Sequence, residues 1–475
     1  MKPRNFDIAS LATICLAICF AAGCAVGPNY HPPKIDAPAQ FSNGAQDGFT
    51  TNQPVAAWWA TFHDAELSKL VEWAATSNLD LRVATANLLE ARALRLGAKS
   101  DFLPVANGVA SYSHNTYSEA ELFNAPGGEA RRQELYDIGF DATWELDFFG
   151  RVRRSYAASV ADVQAQDNAR HDLLISVAAE VARNYFELRG AQGELEVLRR
   201  NKDNQAATLD LTKARLDAGG GTELEVAQAR AEVNNTLAAI PPVEAAIAHA
   251  IHRLGVLTGR QPESLSTELW QSNSLPALPE LIAIGDPAQL IRRRPDVRAA
   301  ERNLAAATQR IGVAVADLFP RVTFNGQIGL QAESFAGLGR PGADANSFGP
   351  SITWAALDYG HIRSRIVAAH ARTDAQLAQY EKTVLTSLEE TENALVDYGR
   401  ARERREYLAE SVKASQAAAD LSRSRYDNGA TDFLTVLDAE RVLLQAQDQF
   451  AQTETQTATA LIAVYKALGG GWENN

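Results

Sequence analysis

Residues 80–104, DLRVATANLLEARALRLGAKSDFLP, recur at 296–320 as DVRAAERNLAAATQRIGVAVADLFP. The two stretches align without a gap. Asp80, Arg82, Asn87, Leu88, Ala91, Ala98, Asp101 and Pro104 match Asp296, Arg298, Asn303, Leu304, Ala307, Ala314, Asp317 and Pro320. Downstream, Trp144 and Gly150 match Trp354 and Gly360, and Arg215, Asp217, Gly219, Val226 and Ala229 match Arg425, Asp427, Gly429, Val436 and Ala439. A repeat of roughly 210 residues is far longer than a solenoid unit, so the chain is expected to hold two similar halves. Each half reads as a helix, two strands and a long helical hairpin.

The strands follow the quoted stretch. Tyr136, Ile138, Phe140, Ala142, Trp144, Leu146 and Phe148 alternate with Asp137, Gly139, Asp141, Thr143, Glu145 and Asp147. That is a period of two with one apolar and one acidic face. In the second half Val322, Phe324, Gly326, Ile328 and Leu330 alternate with polar residues, as do Phe348, Ile352 and Trp354. The strand near 105–114 is weaker, and a loop is expected around 124–128. Each run is close to the length of a tilted membrane strand. A soluble sandwich with one face on a core is the competing reading. In hydrocarbon an open sheet edge has no partner, and single-chain barrels need about eight strands. Four membrane strands therefore demand an oligomer, of a number the pattern does not give.

No proline interrupts 151–217 or 361–427. At 1.5 Å per residue each stretch reaches roughly 100 Å if helical. Leu188, Leu195, Leu209 and Leu216 fall at heptad spacing, with Lys202 in the missing place. Each stretch ends in a glycine turn, at Gly219, Gly220 and Gly221 in the first half and at Asn428 and Gly429 in the second. Both suit a left-handed cap. Return helices follow, the first expected to be interrupted at Pro241-Pro242. The hairpins are read either as the wall of a tube or as a rigid strut.

The N-terminus sets the compartment. Lys2 and Arg4 precede an apolar run from Ile8 to Phe20, and Ala21-Ala22-Gly23 leads into Cys24. This is a signal peptide with too short a run to span a bilayer. Small residues before a cysteine suggest acylation of Cys24, against an ordinary cleaved leader with an incidental cysteine. Of three cysteines, Cys15 and Cys19 lie in the leader, so the mature chain has no internal disulfide and no Cys-based metal site. Among 475 residues, 45 Lys and Arg face 58 Asp and Glu, for a net charge of −13. That balance argues against nucleic-acid binding.

The expected organisation is a signal peptide at 1–23, a lipidated tether at 24–60 and a first repeat at 61–258. That repeat holds a helix, strands at 104–118 and 134–148, and a hairpin at 151–258. A linker at 259–286 leads to the second repeat at 287–468, with strands at 320–333 and 346–357 and a hairpin at 361–468. A tail occupies 469–475. The fold class is mainly α with a membrane β-barrel.

The residues then resemble a family, the TolC-like outer membrane factors, and within it the NodT-type efflux lipoproteins. The resemblance covers nearly all of the mature chain. It is carried by Trp58-Trp59 with Phe62, Asp64 and Leu67, by Asn78-Leu79-Asp80-Leu81 and by the run Arg292-Arg293-Arg294-Pro295-Asp296-Val297-Arg298. The strand ends at 144–150 and 354–360, and Tyr426-Asp427-Asn428-Gly429 leading to Leu437-Asp438-Ala439, complete it. Ala21 departs from the leucine usual three residues before the lipidated cysteine. The resemblance implies a homotrimer in which twelve strands, four per chain, close one barrel in the outer membrane and the helices form a periplasmic α-barrel. It implies a passive exit duct served by a periplasmic adaptor and an inner-membrane pump of the resistance-nodulation-division type, with the lipidated end in outer-membrane lipid.

The same resemblance implies site residues. Asp438 matches an aperture aspartate and Tyr426 a tip tyrosine, and Glu225 stands where an aspartate is usual. Arg441, at i+3 from Asp438, shares its helix face. Thr431 replaces a family arginine that helps lock the tip, so the locking contacts are expected to differ. The tip residues Gly219, Gly220, Gly221, Asn428 and Gly429 are expected to meet the adaptor. The alternative for Asp438 and Arg441 is a solvated surface pair of little energetic weight. The run at 292–296 is read as a helix start, with Pro295 in the first turn and Asp296 on the dipole. Asp137, Asp141 and Glu145 are read either as tuning ion preference or as ordinary polar wall.

Enzyme signatures are missing. There is no Gly-x-Ser-x-Gly, His-Glu-x-x-His or phosphate loop, so no catalytic residue, metal or cofactor is expected. The eight histidines are scattered, with only His249 and His252 close together. The leading function is an outer-membrane efflux duct. The alternatives are a same-fold conduit for type I protein secretion and a non-conducting strut that spans the periplasm.

Overall fold

The computed structural model describes residues 25–35, 37–44, 48–116 and 132–470. The expected leader, Cys24 and the loop at 124–128 lie outside them. The chain divides into two compact units. One comprises the chain up to Lys34, Leu88–Gln166 and Ala300–Tyr380, and the other Ile35–Asn87, Asp167–Ala299 and from Glu381 onward.

The first unit is built on a four-stranded antiparallel sheet. Its strands are β2 (Val105–Thr116), β3 (Arg132–Leu146), β5 (Arg321–Ala332) and β6 (Asp344–Thr353), in the order β2-β3-β5-β6. The strand expected at 346–357 starts earlier, since Asp344 pairs with Leu330, and stops at Thr353, ahead of a turn at 356–357. The register aligns the apolar alternation across the strands. Ile138 sits opposite Ala110 and Leu330, Phe140 opposite Gly108 and Ile328, and Val322 opposite Ile352. This apolar face is exposed, with Phe140 at 64%, Ile328 at 50% and Phe348 at 63%. The opposite face is polar and bonded across strands. Asn107 donates to Asp141 at 3.3 Å, and Gln327 and Gln331 donate to Asp137 at 3.3 and 3.0 Å. An apolar face turned to the outside is the inverse of a soluble sandwich and suits hydrocarbon.

The repeat is visible in atomic detail. Phe140 lies over Gly108 and Phe348 over Gly326, one aromatic ring covering one glycine in each hairpin. The Trp144 indole N–H donates to the Phe102 carbonyl at 2.9 Å, and Trp354 donates to Leu318 at 3.0 Å. Tryptophan with its ring on an apolar face and its N–H bonded suits a membrane interface. Among the described residues no helix is long and apolar enough to cross a membrane, so a crossing falls to the strands.

The second unit is mainly helical, and some of the helices described next begin or end in the first. The apolar periodicity from Asp64 to Ser100 is read from sequence as one helix, but the structure has two, α1 (Ala65–Ser77) and α2 (Leu79–Ser100). Asn78 divides them. Its Oδ1 accepts from the Asp80 and Leu81 amides at 2.9 and 3.1 Å, and its Nδ2 donates to the Leu257 carbonyl at 2.9 Å. A side chain that caps the following helix ends the preceding one.

The hairpins pair α3 (Arg151–Asp217) with α4 (Glu223–Leu257), and α7 (Tyr359–Asp427) with α8 (Phe433–Ala467). Between them come α5 (Pro287–Arg293) and α6 (Pro295–Ala316). The expected interruption at Pro241-Pro242 does not occur, since α4 runs through both prolines. Each proline removes one amide donor from the ladder. Both are exposed, as are Leu237 and Ala238 four residues before them, so water reaches the freed carbonyls. Downstream, buried Ile247, Ile251 and Leu254 hold the helix from outside.

The core of this unit gathers Trp58, Phe62, Tyr185, Phe186 and Tyr465. Trp58 stacks on Tyr465 at 5.1 Å, and Phe62 meets Phe186 edge-on at 4.9 Å. The tether expected at 24–60 is therefore not a free spacer along its whole length. Phe41 and Trp58 are buried, and β1 (Phe49–Thr50) pairs in parallel with β4 (Ile282–Ala283) from the linker. The run at 292–296 is structural, as its sequence suggests. Arg294, 8% exposed, binds both Asp296 oxygens at 3.0 and 2.7 Å, Glu390 at 2.8 Å and the Ala467 carbonyl at 3.0 Å.

Candidate functional site

The expected site residues fall at the two hairpin turns and the helix that follows each. Both turns close in the same way. After α3 the Gly220 amide donates to the Arg215 carbonyl at 2.8 Å and the Gly219 amide to Leu216 at 2.9 Å. After α7 the Ala430 amide donates to Arg425 at 2.8 Å and the Gly429 amide to Tyr426 at 2.9 Å. Gly219 and Gly429 have φ of 76° and 66°. This paired pattern around a left-handed residue is the Schellman cap, which selects glycine.

The return helices start on caps. Thr222 and Glu225 form a reciprocal capping box, with the Thr222 amide donating to Glu225 Oε2 at 2.8 Å and the Glu225 amide to Thr222 Oγ1 at 3.3 Å. Asp432 caps α8 and accepts from the Thr435 amide at 2.9 Å and its hydroxyl at 2.6 Å. These two bonds hold the Asp432 carboxyl below its ordinary value.

Tyr426 does not stand open to solvent. It is 5% exposed and packs with Ala229, Phe433 and Val436. The Arg215 guanidinium lies over its ring at 4.0 Å and donates to its carbonyl at 3.1 Å. Asp438 and Arg441 do stand open, at 64% and 69% side-chain exposure, and pair with each other at 2.7 Å. The expected aperture set thus divides. Asp438 and Arg441 present charge, whereas Glu225 and Tyr426 bond and pack within the tip.

Other tip residues escape sequence reasoning. Glu440 is half-buried beside Thr208, whose hydroxyl also accepts from Arg423 at 3.0 Å, and burial pushes the Glu440 carboxyl above its ordinary value. Its signal is a charge in line with Phe433, Val436 and Leu443 on one helix face. Leu224 and Leu434, equivalent residues of the two halves, are 65% and 59% exposed just past the turns. Among the described residues no group of three or more His, Cys, Asp or Glu is arranged to hold a metal.

The family model described as outer membrane efflux protein matches residues 70–260 and 287–470, one stretch in each half. The chain belongs to the outer membrane efflux protein family. Nodulation protein T of Rhizobium leguminosarum bv. trifolii is 31% identical over 95% of both chains. The solvent efflux pump outer membrane protein SrpC of Pseudomonas putida is 31% identical over 96% of this chain and 97% of its own. The solved outer-membrane channel OprN shares 43% identity, with a TM-score of 0.89 over 94% of this chain and all of that one. The chain is accordingly an outer-membrane efflux channel, its sheet part of a membrane β-barrel and its long helices in the periplasmic portion.

Proposed function

We propose that three copies of the chain close one twelve-stranded barrel and form a passive exit duct for small molecules, anchored by acylation of Cys24. One observation carries this reading. Among the described residues the sheet ends on two edges without a strand partner, β2 and β6, while its apolar face is exposed. In lipid those edges require partners, and further copies of the same sheet supply them. A periplasmic adaptor docks at the tips, where Leu224 and Leu434 offer apolar contacts beside Gly219–Gly221 and Asn428–Gly429. An inner-membrane pump supplies the energy and selects the cargo. The duct catalyses no reaction.

Asp438 and Arg441 border the periplasmic aperture, and Glu225 and Tyr426 keep its wall in shape. Carboxylates gathered near a symmetry axis bind cations and repel one another. Single-channel conductance of the purified protein in a planar bilayer, wild type beside Asp438→Asn, tests the assignment. Small cation-preferring steps that change size in the variant are expected. Steps unaffected by the substitution remove Asp438 from the aperture. A well-folded oligomer without conductance removes the duct itself.

A further inference from the structure

Residues 25–30 follow Cys24 directly and form no helix or strand, yet they are held tightly within the first unit. Arg154, in the first turn of α3, is 6% exposed. Its Nε donates to the Val26 carbonyl at 3.1 Å. Its Nη2 donates to the Gly27 carbonyl at 3.1 Å, to Asn29 Oδ1 at 3.0 Å and to the Ala25 carbonyl at 3.5 Å. Its Nη1 donates to Gln309 Oε1 of α6 at 2.8 Å. The Val26 amide in turn donates to the Phe149 carbonyl at 3.1 Å. Contact is also steric. A Cβ on Gly27, whose φ is +85°, would lie 2.5 Å from Gly312 Cα, and one on Gly150 would lie 2.6 Å from the Ala25 Cβ. Beyond this point Tyr30 donates to Glu301, which also binds Arg302.

All the Arg154 acceptors are amide oxygens. Burying a guanidinium against neutral acceptors is costly unless every donor is used, and ordering six terminal residues costs about 1–2 kcal/mol of backbone entropy for each. The fork of arginine reaches three separate carbonyls where a lysine ammonium would reach one or two. We propose that Arg154 is the positioning residue of a clamp that seats residues 25–29 against α3 and α6, so that the chain that follows the lipidated cysteine is held from Ala25 onward at the β3–α3 junction. Ala25, bonded directly to Cys24, abuts Gly150 just past the end of β3. Acyl chains attached there enter the bilayer beside the base of the sheet, not at the end of a loose tether. The clamp consists of protein contacts and holds without acylation. Its link to the membrane rests on the acylation of Cys24 proposed above.

The test uses the full-length protein in detergent, with Pro28→Cys as its single free thiol and a nitroxide on it. The parent label is expected to be slow. Arg154→Ala, Arg154→Lys and Gly27→Val are each expected to shorten its correlation time roughly tenfold, the step from packed backbone to free terminus. Where Arg154→Ala does not accumulate folded, Gly27→Val decides, because Gly27 lies outside every helix and strand. Replacing residues 1–24 by an ordinary cleavable leader removes acylation, and the label is expected to stay slow. A parent label as mobile as the variants, no response to Gly27→Val, or loosening on loss of acylation alone each overturns the clamp. The mass of the N-terminal peptide reports acylation separately, so failure of that reading is distinguishable.

Discussion

Asp172 illustrates what a single side chain contributes. Burial, and then the nearby Asp296 charge, push its carboxyl from 3.8 up to about 6, with Glu390 adding to the shift and Arg294 and Lys466 opposing it. The folded state therefore holds a proton that the unfolded chain releases earlier. The resulting stabilisation is fully present below the unfolded value and lost as pH rises through about 6. Asp172→Asn is expected to be more stable than wild type above that pH, by at most ~3 kcal/mol, and to flatten the change between pH 4 and 7. Urea unfolding at both pH values checks it, and parallel wild-type and variant curves would count against it. Gly429→Ala should cost about 1 kcal/mol, because φ at 66° is unfavourable for a side chain. Melting of the variant tests this. The turn glycines were legible in the sequence because few other residues suit a left-handed cap. The work of Glu225 is also written there, in the Thr222-x-x-Glu225 spacing of a capping box. Burial of Tyr426 was not legible, since its partners Arg215 and Ala229 lie about 200 residues away in sequence.

At the scale of elements, β3 and β5 announced themselves because a membrane strand must keep one face apolar along its whole length. β2 was weaker because, apart from Tyr112, its share of that face is Ala106, Gly108 and Ala110, small residues beneath larger neighbours such as Phe140. The break at Asn78 was obscured by apolar periodicity that continues through both α1 and α2. Two prolines in α4 read as a stop, and nothing local revealed that long-range packing would carry the helix on. Ile328→Lys, on the apolar face, is expected to cost about 2–4 kcal/mol of barrel stability, while Gln327→Lys, one residue away on the polar face, should cost far less. The fraction of oligomer surviving without heating in denaturing gels reads the difference, and equal losses would contradict the assignment of faces. Thr222→Ala should cost about 1 kcal/mol by opening the capping box that starts α4. Its denaturation midpoint tests the cap.

For the molecule as a whole, duplication gives each chain two hairpins of sheet and two of helix, and β3 pairing with β5 joins the halves into one four-stranded sheet. The sequence made this architecture readable because the repeat restates each motif, so a weak strand in one half is supported by its counterpart. It did not state how many chains close the barrel, which depends on the curvature between copies. The edges at β2 and β6, without a strand partner among the described residues, make closure by further copies the central claim. Native mass spectrometry of the detergent-extracted protein counts chains per particle most directly. Three chains are expected. A folded particle of one or two chains that conducts in a bilayer would contradict the account.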